Sequence, residues 1–119
     1  MQSPDMLPSS EIYRNALEQA QMADQLGFDY VVAAEHHFSS YGFLPNPLML
    51  IATLAQHTKQ VRFSTAVVVL PLRNPIQTAE EIAMLDVISG GRIVSGFVRG
   101  IGIESWASNT NPIHNRERF

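Results

Sequence analysis

Residues 61–75 read VRFSTAVVVLPLRNP. The run Val61–Leu70 is rich in valine, whose branched Cβ suits a packed, extended strand. Pro71 ends the run, because proline has no N–H to give to a ladder. Asn74-Pro75 then offers a capping side chain followed by a residue whose φ is already helical. The spacing predicts a helix over Ile76–Ile88 with Ile76, Ala79, Ile82, Ala83 and Val87 facing inward. Gly90-Gly91 stops it. A strand followed directly by a helix is half of a parallel crossover, and the rest of the chain repeats that order.

Upstream, Tyr30–Ala34 (YVVAA) is apolar without alternation, the pattern of a strand covered on both faces in a parallel sheet. The polar loop Glu35–Asn46 follows. Asn46-Pro47 repeats the cap-and-proline device, and Leu48–Ala55 is apolar nearly all round, which predicts a deeply buried helix. Glu11–Leu26 reads as an amphipathic helix with Ile12, Ala16, Ala20, Ala23 and Leu26 on one face. Ser9 or Ser10 is expected to cap it and Gly27 to end it. Downstream, Ile93–Phe97 is a third strand. Residues Val98–Phe119 lack periodicity and are expected to be mostly loop, with a helix starting near Arg116. The strands begin about 30 residues apart, the size of a βα unit. Right-handed crossovers make them parallel neighbours in an α/β fold. Three parallel strands cannot close a barrel and leave two open edges. The chain is therefore expected to be part of a larger α/β protein; the alternative is a small open-sheet domain.

With 45% apolar and 16% charged residues, the composition is that of a folded globular chain rather than a disordered one. No apolar run reaches the roughly 18 residues of a membrane helix, so no membrane partner is expected. Met1–Ser10 has neither the basic start nor the apolar core of a secretory leader, which makes the cytoplasm the expected compartment. There is no cysteine, which excludes disulfides, thiolate metal sites and a cysteine nucleophile. A net charge of -3 argues against a nucleic-acid partner.

In α/β folds the working groups sit in loops after the carboxyl ends of the strands. Here those loops are Glu35–Asn46, Pro71–Asn74 and Val98 onward. Glu35-His36-His37-Phe38 leaves the first strand. Alternation places Glu35 and His37 on one side and His36 on the other. Histidine can act as acid, base or hydrogen-bond donor. A zinc site needs more ligands than two neighbours pointing apart, and His57 and His114 lie far off in the sequence, so no metal is expected. The doublet alone is explained most simply as a pair of capped loop histidines. Gly96-Phe97-Val98-Arg99-Gly100-Ile101-Gly102 leaves the third strand. Glycines allow close backbone approach, and arginine offers a planar fork suited to phosphate. Gly100 and Gly102 give G-x-G, but no third glycine follows them, so this is not the dinucleotide fingerprint. An arginine paired to a helix end explains Arg99 equally well, and Arg116 and Arg118 either converge on the same anion or are solvated. Glu80 and Glu81 are placed in the first turns of their helix, where the macrodipole favours acids. Ser89-Gly90-Gly91-Arg92 reads as a structural turn.

Taken together, Gly27-Phe28-Asp29, Glu35-His36-His37-Phe38, Tyr41-Gly42 and Asn46-Pro47 resemble the bacterial luciferase-like monooxygenase family. So do Val69-Leu70-Pro71, Asn74-Pro75, Ala79-Glu80-Glu81, Leu85-Asp86, Ser89-Gly90-Gly91-Arg92 and Gly96-Phe97-Val98-Arg99-Gly100. The order and spacing match from about Ile12 to the end of the chain.

The resemblance implies part of a TIM-type (β/α)8 barrel. Residues 1–119 would be the N-terminal part of that domain, without its first strand and second half. It implies a flavin-dependent monooxygenase that uses reduced FMN and O2 on a small organic substrate. The reduced FMN comes from a separate flavin reductase, in a homo- or heterodimer. A deazaflavin-dependent oxidoreductase, a non-catalytic flavin-binding relative and an inactive fragment are the alternatives. By the same resemblance His36 is the catalytic histidine, which assists the flavin's reaction with oxygen and supplies or holds a proton. Glu35 and His37 belong to the substrate pocket. Ala66-Val67 falls where the family places a non-proline cis peptide behind the flavin ring. Val98 stands where luciferase has a cysteine, and Arg99 and Arg116 match flavin-phosphate arginines.

Overall fold

The computed structural model describes residues 7–119. Helix α1 (Ser9–Gln25) leads into strand β1 (Tyr30–Ala33), and α2 (Pro47–Gln56) leads into β2 (Arg62–Val69). A 3-10 turn (Leu70–Leu72), α3 (Pro75–Ser89) and β3 (Ile93–Val98) follow. The chain then runs through α4 (Gly102–Ala107), a second 3-10 turn (Pro112–His114) and α5 (Asn115–Arg118). The sheet order is β1-β2-β3, and both pairings are parallel. This is the expected α/β arrangement, with β2 bonded on both sides and, among the described residues, no strand against the outer edges of β1 and β3.

Local chemistry starts each crossover. Asn46 Oδ1 accepts from the Met49 N–H at 3.1 Å, and Pro47 opens α2. Asn74 Oδ1 accepts from Ile76 and Gln77, and Pro75 opens α3. Both devices satisfy N–H groups that a helix start leaves orphaned. Gly90 ends α3 in the left-handed conformation at φ 71°, which glycine adopts without a Cβ penalty. The core lies between the sheet and α2 and α3, built on Phe63, Val61, Val68, Ile51, Leu54 and Leu85.

Several expectations are corrected. Pro8, with no capping side chain, precedes α1, and Ser9 and Ser10 lie inside the helix. Leu26 is exposed. In α3 the buried residues are Thr78, Leu85 and Ser89, while Ile76 and Val87 are 71% and 82% exposed. The helix carries apolar residues on every side, so periodicity could not choose a face; Leu85 in the core and a bond from Arg73 Nε to Thr78 Oγ1 choose it. Because α3 begins at Pro75, Glu80 and Glu81 sit in its second turn, and Glu81 pairs with Arg73. Met49 projects from α2 into solvent. Tyr30 and Val32 of β1 are exposed, since no described residue covers the face of the sheet opposite the helices. Val98–Phe119 is more helical than expected, and α4 was not anticipated.

At the amino ends of the strands two charges close the structure. Asp24, at the end of α1, accepts from the backbone N–H groups of Gln60 and Val61 at 2.7 Å and of Lys59 at 2.9 Å. Arg92 donates from Nε to the Ser89 carbonyl, and from its terminal nitrogens to the carbonyls of Val61 and Ala55 and to Thr58 Oγ1. Its guanidinium also lies over the Phe63 ring. The bonds from Val61, then Gln60 and Lys59, with Arg92 nearby, hold the Asp24 carboxyl below its ordinary range, although burial opposes them. A depressed carboxylate stabilises the fold above the unfolded pKa of about 3.9 and loses that contribution as pH falls through the folded value. Asp24→Asn is therefore expected to lower the Tm at pH 6–8, by a margin that shrinks below about pH 4. Thermal unfolding of both proteins across pH checks this; a Tm difference independent of pH contradicts it.

Candidate active site

Parallel pairing brings the exits of β1, β2 and β3 to one edge of the sheet. The register aligns Val32 with Ser64 and Ser64 with Val94 on the face away from the helices. One layer nearer the exits, alternation places Ala34, Ala66 and Gly96 on that face. Small side chains there leave space at the mouth of the sheet.

The β1 exit carries the histidines. Glu35 is buried, and its two oxygens bind different partners. Oε1 lies 2.7 Å from His37 Nε2, and Oε2 accepts from the Val69 N–H at 3.2 Å. The carboxylate thus ties the histidine loop to the end of β2. Glu35 and His37 share a side, as alternation predicts, and His36 turns the other way. The His36 backbone N–H donates to the Leu44 carbonyl at 2.9 Å, which folds the loop back on itself. The His36 ring packs edge-on against Tyr41, with centroids 5.1 Å apart. Gly42 (φ 64°) lies so close that a Cβ there would come within 2.5 Å of His36 Cδ2. Neither ring nitrogen of His36 has a protein partner among the described residues. The ring borders a cleft of about 610 Å³ between α1 and the open edge of β1.

The exits of β2 and β3 are joined differently. The Ala66–Val67 peptide is cis, at the place singled out by resemblance, and the β2–β3 register shifts between Thr65 and Val68. Thr65 Oγ1 bridges the irregularity, donating to the Gly96 carbonyl at 3.1 Å and accepting from the Gly96 N–H at 2.9 Å. Gly96 permits this contact, because a Cβ there would meet the Thr65 carbonyl oxygen at 2.6 Å. Val98 ends β3, partly exposed, and Arg99 follows, exposed and with its guanidinium unpaired among the described residues. Arg116 is likewise exposed and unpaired, on α5.

Among the described residues no group of three or more metal-binding side chains occurs. His57 ends α2 on the surface, and His114 pairs with Glu117. No described helix is long and apolar enough to cross a membrane. The residues that sequence reading missed are Ser105 and Asn115. Asn115 donates to Ser105 Oγ and to the Arg99 carbonyl, so that α4 and α5 fold back onto the β3 exit. A signal was present: Asn111-Pro112 is a third cap-and-proline pair, and Asn111 Oδ1 accepts from the Ile113 N–H.

Comparison with known proteins agrees with this geometry. A sequence model of the family described as luciferase-like monooxygenase matches residues 1–108. The oxygenase component of a flavin-dependent trigonelline monooxygenase from Acinetobacter baylyi is 36% identical, over 87% of this chain and 32% of that protein. The alkanal monooxygenase alpha chain of the Kryptophanaron alfredi symbiont is also 36% identical, over 82% of this chain and 28% of that one. Among solved structures, monooxygenase RslO1 from Streptomyces bottropensis superposes with a TM-score of 0.94 at 34% identity, covering 99% of this chain and 36% of that one. The oxygenating constituent of 3,6-diketocamphane monooxygenase from Pseudomonas putida, solved in complex with FMN, gives a TM-score of 0.83 at 28% identity, covering 86% of this chain and 28% of that one. The chain thus spans about a third of the length of these relatives.

Glu35 is the joint between the loop of His36 and the end of β2. Glu35→Ala leaves the buried Val69 N–H without its acceptor, a loss of about 1–3 kcal/mol in unfolding free energy. Urea unfolding of the protein checks this, and a loss below about 0.5 kcal/mol contradicts it.

Proposed function

The chain belongs to the luciferase-like monooxygenase family, and on that premise we propose that it acts as a flavin-dependent monooxygenase. Residues 1–119 are the N-terminal part of a (β/α)8 domain. The open edge of β1 receives the first strand of the barrel, and the second half of the barrel covers the face that carries Val32 and Val94. The cofactor is FMN, delivered reduced by a separate reductase; the relative named as an oxygenase component supports that division of labour. The substrate is a small organic molecule. One oxygen atom of O2 enters it and the other leaves as water. A homo- or heterodimer is supported by the exposed apolar side of α3, with Ile76, Met84 and Val87.

The donor set at the strand exits fits a flavin phosphate. The observation that carries the reading is that Arg99 and Arg116, both exposed and without a carboxylate partner among the described residues, lie on segments joined at that edge. Guanidinium forks suit the dianion. Small side chains at Ala34, Ala66 and Gly96 leave room at the mouth of the sheet, and Val67 and Val98 offer apolar surface to a planar ring. When bound, reduced FMN supplies the two electrons for the reaction with O2. The protein's part is to bind, orient and exclude water. Arg99 and Arg116 hold the phosphate. His36, its ring nitrogens uncommitted among the described residues and its face set by Tyr41 and Gly42, holds or moves a proton at the strand exits. Glu35 and His37 fix the loop that presents it.

Arg99→Ala is expected to weaken reduced-FMN binding about tenfold or more in an anaerobic titration, the loss of a charge-assisted contact. His36→Ala is expected to leave that affinity in place and lower oxygen-dependent product formation about 100-fold. An unchanged FMN affinity in Arg99→Ala overturns the cofactor assignment. Turnover with a deazaflavin in the absence of oxygen overturns the monooxygenase assignment.

A further inference from the structure

Asn115 is 3% exposed, although it lies on a four-residue helix whose other members are exposed. Its Nδ2 donates to the Arg99 carbonyl at 3.3 Å and to Ser105 Oγ at 2.6 Å. Ser105, 1% exposed, donates a hydrogen bond from its own hydroxyl to the Ile101 carbonyl at 3.4 Å. A carbonyl only accepts, so the amide nitrogen must face Arg99 and the orientation of the side chain is set. Asn115 Oδ1 is then left buried with no partner among the described residues. A buried acceptor without a donor costs free energy, so packing alone would be served better by an apolar side chain. What the amide does hold is the Arg99 backbone, one residue away from Arg116.

We infer that Asn115 is a positioning residue that fixes the separation of the Arg99 and Arg116 guanidiniums so that both engage one phosphate dianion. This inference rests on the proposed phosphate role of the two arginines. Two segments already held at a fixed separation bring their arginines to one anion without the cost of ordering the segments when the ligand arrives. Without the anchor each arginine still attracts an anion, but the two no longer act as one site.

The experiment compares FMN with riboflavin, which lacks the phosphate, by flavin titration of the protein. Asn115→Ala is expected to weaken FMN binding about tenfold and leave riboflavin binding unchanged. Asn115→Asp keeps the shape but turns an oxygen toward the Arg99 carbonyl and adds a negative charge, so its loss for FMN is expected to be larger. Ser105→Ala removes only one of the two acceptors and is expected to give a smaller loss of the same kind. It serves where the Asn115 variants do not fold. In a double-mutant cycle, Arg99→Ala and Arg116→Ala are expected to be non-additive for FMN in the parent and additive in the Asn115→Ala or Ser105→Ala background. Equal weakening of FMN and riboflavin, or a cycle unchanged by these substitutions, overturns the positioning role. If Arg99→Ala itself leaves the preference for FMN over riboflavin intact, the phosphate reading fails instead, and the positioning role falls with it.

Discussion

Parallel pairing of β1, β2 and β3 is the constraint from which the rest of the structure follows. Strands that run the same way cannot be joined by a tight turn, so each connection must travel back along the sheet as a helix. All three exits therefore open at one edge and all three returns arrive at the other. The Asn-Pro pairs start the returning helices, and the buried side of each helix covers one face of the sheet. Chemistry and closure are separated by the length of a strand.

That separation shows in how the charges are treated. At the returning edge Asp24 and Arg92 are both spent on protein groups. Asp24 takes three backbone donors, and Arg92 serves four acceptors. At the exit edge the balance is different. Glu35 is satisfied and serves as a joint, while the exposed guanidiniums of Arg99 and Arg116 and the ring nitrogens of the half-buried His36 have no hydrogen-bond or ion-pair partner among the described residues.

Much of this was legible in the chain. The strands could be read because valine and its neighbours form short apolar runs bounded by proline, glycine and asparagine. Alternation correctly placed Glu35 with His37 and His36 apart from them. The inward face of α3 could not be read, because Ile76, Met84 and Val87 are as apolar as Leu85, and only tertiary contact tells them apart. The coverage of β1 was misjudged because its apolar run is matched to neighbours that these residues do not supply. Asn115 escaped notice for another reason. Its role depends on a hydrogen bond to a residue sixteen positions back, and no local period records such a bond. The candidate site was singled out through resemblance; the spacing of single residues left both Arg99 and the histidine doublet open to structural explanations.

The cap-and-proline pairs have a consequence for how such a chain can change over generations. The starts of α2 and α3 are each encoded in two adjacent residues, and the glycine that ends α3 is equally local. The position of a helix on the sheet therefore does not depend on the length of the loop that precedes it. Residues can be inserted at the exposed positions Ser39–Ser40 and Ser108–Asn109 at little entropic cost while the Asn-Pro pair restarts the following turn in place. A lineage built on this scaffold is free to remodel the wall of its strand exits there without the sheet having to be solved again.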